Sequence, residues 1–163
     1  MSSILDEVNN PFWQFSLKLY KNKQIESALI NLQEQYDLNI NCILFALWLA
    51  YVDIQLQPNE FQDIIKSVEV MQSNITKVIR KARKSVKLNQ SQYPDMFYQN
   101  LLQIELESEA LQQQKLYQLA SKFKQTEIKI NSLLAKQYLK WLFNINNINY
   151  YDNLIERLIN LAI

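Results

Sequence analysis

The sequence predicts an all-α fold, a single domain over residues 1–163 folded as a helical bundle of six to seven helices. The chain has no glycine, the residue that supplies positive φ in hairpins and tight turns. Its prolines, Pro11, Pro58 and Pro94, lie at or just before expected helix starts. Hydrophobic residues make up 48% of the chain and recur at helical spacing, so the helices can bury a common core.

The first two helices are predicted from a proline and from a periodic stripe. Asn10 can cap a helix that has Pro11 at its first position, so we expect a helix over about 11–22. The second helix carries apolar residues on one face, namely Ile25, Ala28, Leu29, Leu32 and Tyr36. In the loop at 36–41, an Asp or Asn could take the left-handed conformation that usually needs glycine.

Four aromatic residues crowd the first predicted helix: Phe12, Trp13, Phe15 and Tyr20. An aromatic platform for a ligand or partner is one interpretation of this pattern. On a helix, however, the four rings spread over two neighbouring faces. Such a wide apolar arc is more typical of a helix packed between others, so we expect these rings to belong to the core.

The third helix, about 41–55, is apolar on nearly all sides, so we expect it to be the buried central helix. Cys42 lies near its start, where the helix dipole could activate a thiol. The chain has no histidine with which a nucleophilic cysteine could pair. Because the neighbours of Cys42 are apolar, a buried core cysteine is the favoured interpretation.

The fourth helix is expected to begin near Asn59, which forms a capping-box pattern with Gln62, and to run to about Lys87. A loop at 88–94 leads to a fifth helix over about 95–122. Proline and glycine are absent after residue 94, so the later boundaries rest on apolar spacing alone.

The C-terminal part is expected to contain a helix near 127–143, a break at 144–149 and a final amphipathic helix. The apolar stripe of the final helix consists of Leu154, Ile155, Leu158, Ile159 and Leu161. We expect this stripe to fold back on the bundle. Self-association, giving a homo-oligomer through the C-terminal helices, or docking into a partner is the alternative.

Composition excludes several classes of function and predicts a cytoplasmic protein. Without glycine, neither a Walker A loop nor a dinucleotide-binding loop can be formed. The chain has one cysteine, which predicts a reducing compartment, and its acidic N-terminus does not read as a signal peptide. The most apolar stretch, Ile43–Val52, is shorter than the ~20 residues of a transmembrane helix. The net charge of +1 gives no global attraction to nucleic acid or membranes.

The strongest local signal is a run of six basic residues within eleven, Lys77, Arg80, Lys81, Arg83, Lys84 and Lys87. At 100° per residue they lie on one side of the fourth helix, opposite an apolar side. We therefore expect this helix to pack its apolar side inward and to present a basic stripe that binds a partner. The alternative is a solvated face without a partner, whose charge is balanced by the acidic run at 105–109 on the next helix.

The acidic run holds Glu105, Glu107 and Glu109, of which Glu105 and Glu109 share one helix face. Paired glutamates of this kind occur in di-metal helical bundles, where they are joined by Glu-x-x-His motifs. The chain has no histidine and one cysteine, so we expect an ion-paired or solvated face, with no metal and no cofactor.

Several blocks of the sequence together resemble a known family. They are "PFWQFSLKLY" at 11–20, "ALINLQEQYDLNINCILFALWLA" at 28–50, "VIRKARKSVK" at 78–87 and "LLQIELESEALQQQKLY" at 101–117. The chain resembles a small proteobacterial family of about this length, a domain of unknown function with an N-terminal P-F-W-x-F-S-L-x-L-Y signature. The likeness covers about 10–120, but glycines of the family near Lys23 and Asp37–Leu38 are missing here. It implies a bacterial cytoplasmic protein and no particular chemistry.

These observations favour a non-enzymatic cytoplasmic adaptor or regulator that binds a protein partner with an acidic surface through the basic helix. A nucleic-acid-binding regulator that uses the same cations is one alternative. An enzyme or a carrier of an apolar ligand, with its pocket beside the third helix, is another. The absence of histidine removes the commonest acid–base group, which is why contact is favoured over catalysis.

Overall fold

The computed structural model describes residues 3–125, 131–149 and 152–162. Regular secondary structure in these ranges is entirely helical, which confirms the predicted all-α bundle. The α-helices are α1 (Ile4–Glu7), α2 (Pro11–Tyr20), α3 (Lys23–Tyr36), α4 (Ile40–Tyr51), α5 (Pro58–Lys66), α6 (Glu69–Met71), α7 (Lys77–Leu88), α8 (Asp95–Ala120), α9 (Ser132–Ile145) and α10 (Asp152–Ala162). The predicted start of a helix near 127 lies outside the described residues.

Asparagine and aspartate perform the turn and cap functions that glycine performs in other chains. Asn10 caps α2, with its Oδ1 accepting from the backbone N–H of Trp13 at 2.9 Å, and Pro11 follows at the first helical position. Asp37 ends α3 in the left-handed conformation, with φ 56° and ψ 27°. The prediction that an Asp or Asn of this loop takes the place of glycine is confirmed.

The predicted fourth helix is divided into α5, α6 and α7. The expected capping box at Asn59 is wrong, because Pro58 occupies the first helical position and Gln57 is the N-cap. The backbone N–H of Gln57 donates to Glu60 Oε2 at 2.7 Å. The chain bends after α5, and a π-helical turn over Gln72–Thr76 joins α6 to α7.

The central helix is α4, as predicted: every residue from Ile40 to Ala50 is buried. Phe12 of α2 packs against this helix, with its ring centroid 5.5 Å from that of Phe45 and 5.4 Å from that of Trp48. Phe12 and Phe15 are buried, whereas Trp13 and Tyr20 are half-buried. Phe12 and Phe15 are therefore part of the core and Tyr20 packs against it, whereas Trp13 does not belong to the core cluster.

The C-terminal helices cover the other side of α4. Helix α9 has the most extensive packing against α4 of any element, and α10 packs on α9 and α3. Ile155, Leu158 and Ile159 of α10 are buried in the chain's own core. The expectation that this stripe folds back is confirmed, so these residues are not available for the self-association considered as the alternative.

The hydroxyl of Tyr138 in α9 is hydrogen-bonded to the segment that connects α4 to α5. This hydroxyl donates to the carbonyl of Ile54 at 2.7 Å and accepts from the N–H of Leu56 at 2.8 Å. The ring stacks on Phe61 with centroids 5.0 Å apart. Burial raises the pKa of Tyr138 to about 12, so the hydroxyl keeps its proton at neutral pH.

We expect Tyr138→Phe to lower the free energy of unfolding by about 1–3 kcal/mol, because it leaves two buried backbone groups without their partner. Urea unfolding followed by circular dichroism measures this change. Tyr36→Phe is the matched control, since Tyr36 is exposed and should change stability by less than about 0.5 kcal/mol. Equal stability of the two variants would contradict the role assigned to Tyr138.

Candidate functional site

The predicted basic stripe lies on α7, which forms an antiparallel hairpin with α8. A 3-10 turn at Gln90–Gln92 and Pro94 at the N-cap of α8 reverse the chain between the two helices. All residues from Lys87 to Phe97 are exposed, so the tip of the hairpin stands in solvent. The base of the hairpin is attached to the bundle where α7 joins the π-helical turn.

The orientation predicted for α7 is wrong in part: Lys81 and Lys87 are exposed and Val86 is buried, as expected, but other residues are not where the pattern places them. Arg80, expected outside, is buried with 9% of its surface exposed. Val78 and Ile75, expected inside, are 58% and 46% exposed. Arg80 and Arg83 of the basic side face α8, and Val78 and Ala82 of the apolar side face solvent. The reason is that α8 and α3 place acidic side chains next to the basic residues of α7.

A buried ion cluster joins α7 to α8. Arg80 Nε donates to Glu105 Oε1 at 2.8 Å, and Arg80 Nη2 donates to Glu109 Oε1 at 2.6 Å. Arg83 Nε bonds the other oxygen of Glu105, and its Nη2 lies 3.3 Å from Glu105 Oε1. Arginine has the forked geometry to hold two carboxylates at once, so this cluster fixes the register of the two helices.

The two carboxylates of the cluster differ in their electrostatics. Burial acts to raise the pKa of Glu105, but hydrogen bonds from Arg83 and Arg80 outweigh it and hold that pKa below its usual value. Among the described residues Glu109 is hydrogen-bonded by Arg80 alone, and burial raises its pKa. The side-chain hydrogen bond with Glu105 raises the pKa of Arg83. Glu105 is therefore the anionic centre of the cluster.

Hydrogen bonds between uncharged side chains connect the base of the hairpin to the bundle. Gln112 Nε2 donates to Thr76 Oγ1 at 2.8 Å and to Gln72 Oε1 at 3.0 Å. Gln112 Oε1 in turn accepts from Asn39 Nδ2 at 2.7 Å, where Asn39 is the N-cap of α4. Ser108 Oγ lies 3.0 Å from Thr76 Oγ1. The hairpin is thus bonded to the start of the central helix.

The remaining predicted site residues divide into two groups. Lys77 and Lys84 form ion pairs with Asp37 and Glu34 of α3, so together with Arg80 and Arg83 they are paired within the chain. Lys81 and Lys87 are exposed and have no ion pair within the part of the chain that the structure describes. The structure therefore brings the six cations to one side of α7 but leaves two of them for contacts outside the chain.

The side of the hairpin turned away from the bundle carries an uncharged surface, which we call the outer face. Its residues are Ile75, Val78, Ile79, Ala82, Phe97, Leu101, Ile104 and Leu111. On α7 they lie opposite the lysines that meet α3, and on α8 they lie opposite Gln113, which bonds Asn41 of α4. Phe97, Ile104 and Leu111 are 45%, 49% and 36% exposed. Their seven-residue spacing was a signal of one shared face that sequence reasoning missed.

The other sequence candidates have structural roles. Cys42 is buried, and burial, together with the charge of Glu69, raises the pKa of its thiol to about 12, as the core interpretation predicted. Glu107 accepts a hydrogen bond from Gln103 at 2.9 Å on the surface of α8. Among the described residues there is no group of acidic, cysteine or histidine side chains suited to a metal ion. None of the described helices is long and apolar enough to cross a membrane.

A comparison with family models matches residues 11–116 to "Protein of unknown function (DUF2390)". The chain belongs to this family. The DUF2390 region runs from the start of α2 through most of α8, so it includes the whole ion cluster and the outer face. Helices α9 and α10 lie beyond it. No curated protein and no solved structure matches the chain.

We expect Glu105→Gln to lower the free energy of unfolding at pH 7 by about 3 kcal/mol, because it removes the buried carboxylate that pairs with both Arg80 and Arg83. The folded-state pKa of Glu105 is lowered, so this stability is fully present above the unfolded pKa and is lost as pH falls through the folded pKa. The difference between wild type and variant should therefore shrink in acid.

Urea unfolding at pH 7 and at decreasing pH measures that difference. Glu107→Gln on the same helix is the matched control, because it changes a surface carboxylate, and it should alter stability by less than about 0.5 kcal/mol. A Glu105→Gln variant as stable as this control at pH 7 would contradict the ion cluster.

Proposed function

We propose that this DUF2390 protein is a non-enzymatic cytoplasmic adaptor or regulator that binds a protein partner through the outer face of the α7–α8 hairpin. The observation that carries the proposal is an uncharged, partly exposed surface that extends over two helices. A surface of this kind is costly in water, since each buried apolar side chain contributes roughly 1.5–3 kcal/mol. Contiguous apolar patches on soluble proteins commonly mark interaction sites.

The hairpin is suited to binding because its own geometry is fixed before a partner arrives. The ion cluster and the Gln112 hydrogen bonds hold α7 and α8 in one register. A partner therefore pays little of the conformational entropy that a flexible surface would lose. Preorganisation of this kind favours affinity for a given apolar area.

The partner that fits this surface is an amphipathic helix. Two antiparallel helices leave a shallow groove between them, and a third helix can lay its apolar side along it. Lys81 borders the outer face on the α7 side, and Glu107 borders it on the α8 side. A partner helix with acidic residues along one flank would complement Lys81, and the exposed Lys87 would add to this attraction near the tip. Part of the predicted basic stripe thus contributes to the proposed contact.

The proposal can be tested with a photo-crosslinking amino acid placed at Ile104 on the outer face, in the chain expressed in its own cell. The matched control carries the same group at Leu133, an apolar residue of α9 that is 80% exposed and off the outer face. We expect a discrete protein to crosslink from position 104 alone, with the crosslinked peptide in an amphipathic helical segment. Identical crosslinks from both positions, or none, would contradict the proposal.

A binding measurement with that purified partner completes the test. Ile104→Glu should weaken binding by about tenfold or more, whereas Leu133→Glu should leave it unchanged. Circular dichroism checks that both variants stay folded, which their exposed positions favour. Crosslinks from position 104 to a second copy of the chain, or to nucleic acid, would replace the protein-partner proposal with those alternatives.

A further inference from the structure

A cavity of about 360 Å³ opens on the bundle side of α7, beside the start of α4. Helices α3, α5 and α9 all end at this cavity, through Tyr36, Lys66 and Ile145. The π-helical turn contributes Gln72 and Ser73 to the wall. Such turns occur frequently at functional sites, and small-molecule sites usually measure roughly 300–1,000 Å³.

One part of the lining favours a positively charged group. The C-terminus of each helix carries partial negative charge on its last carbonyl groups, and three such ends meet here, against the N-terminus of α4 at Asn39. The cavity also holds two carboxylates, Asp37 and Glu69. Asp37 is paired with Lys77, whereas Glu69 has no ion pair in the described ranges. Glu69 and the helix ends together could hold an ammonium group.

Another part of the lining favours an acceptor such as a carboxylate. Gln72 is buried, with 6% of its surface exposed, and its Oε1 accepts from Gln112. Its Nε2 donates no hydrogen bond to the residues that the structure describes, and Gln72 lines the cavity. Lys66 lies at the same cavity, is exposed and has no ion pair in the described ranges. Both groups can donate to an anion.

Four further lining residues form an apolar surface, which we call the floor. It is formed by Ile65, Val68, Leu142 and the thiol of Cys42, all of which are buried. Glu69 is close enough to this floor to add to the effect of burial on the pKa of Cys42. The cavity therefore presents an acceptor group, a donor group and an apolar surface within one small volume.

We propose that this cavity binds a free aliphatic amino acid. The ammonium group lies near Glu69 and the helix C-termini, the carboxylate lies near Lys66 and Gln72, and the side chain covers the apolar floor. A zwitterion satisfies both sets of groups at once, which neither a simple amine nor a simple acid can do. The cavity is on the opposite side of α7 from the outer face, so this inference does not depend on the protein-binding proposal.

Isothermal titration calorimetry on the purified full chain tests the inference, with L-valine, L-leucine and L-methionine as probes. We expect saturable binding to at least one of them with a Kd of about 1 mM or tighter. Isoamylamine lacks the carboxylate of L-leucine and isocaproate lacks its ammonium group. Each should bind at least about tenfold more weakly than the amino acid. Absence of saturable binding to all three amino acids, or equal binding of isoamylamine or isocaproate, would overturn the proposal.

Two surface variants locate the binding site. Glu69→Gln and Lys66→Gln each remove one charge at the cavity and should weaken amino acid binding by about tenfold. Asp63→Asn is the matched control on α5, because Asp63 is exposed and does not line the cavity. All three positions are exposed, so the variants should unfold at the wild-type temperature. Unchanged affinity in Glu69→Gln and Lys66→Gln, or an equal loss in Asp63→Asn, would place binding elsewhere and overturn the proposal.

Discussion

Two carboxylates of α8, the buried Glu105 and the half-buried Glu109, hold Arg80 of α7 inside the hairpin, and the orientation of α7 depends on that interaction. Leaving one member of a buried ion cluster unpaired costs about 3–5 kcal/mol. Leaving Ile75 and Val78 half-exposed costs roughly 1 kcal/mol each by apolar area. The ionic term is larger, so Arg80 is turned inward and Ile75 and Val78 remain exposed. The outer face is exposed because Arg80 on the other side of α7 pairs with the carboxylates of α8.

The same interaction separates two surfaces that could act independently. On the bundle side of α7, Lys77 and the π-helical turn form part of a polar cavity. On the far side, the outer face is uncharged and bordered by Lys81 and Glu107. A rigid hairpin keeps both surfaces in place without a bound ligand. Both surfaces are therefore formed by helices, and the binding proposed for each does not require a loop to become ordered.

The backbone fold could largely be predicted from the sequence, because its signals are local. Pro11 and Asn10 mark a helix start, an all-apolar run marks the central helix, and Asp37 replaces a missing glycine. The division of the fourth helix could not be predicted in this way. It depends on the bend after α5 and on a π-helical turn whose side chains are held by Gln112, far along the chain.

The prediction for the orientation of α7 was wrong for the same reason, because that orientation also depends on contacts between separate parts of the chain. On a single helix the segregation of Val78 from Arg80 suggests apolar inside and basic outside. That rule holds only when the neighbouring helix is apolar, and α8 instead places Glu105 and Glu109 at the contact. The acidic run was visible in the sequence, and so was the charge balance with the basic residues. The sequence did not show that the two helices pack against each other. That packing decides whether the opposite charges are buried or solvated.

Thiol accessibility on α7 is the most direct test of this account. Val78 and Val86 both lie on the side that the sequence predicts to be buried, yet they are 58% and 7% exposed. In Cys42→Ser backgrounds carrying Val78→Cys or Val86→Cys, the rate of alkylation under native conditions can be compared with the rate in denaturant. Rapid reaction at position 78 and strong protection at position 86 are the expected results. Protection of both positions would show that α7 packs its apolar side inward and would contradict the ion-cluster account.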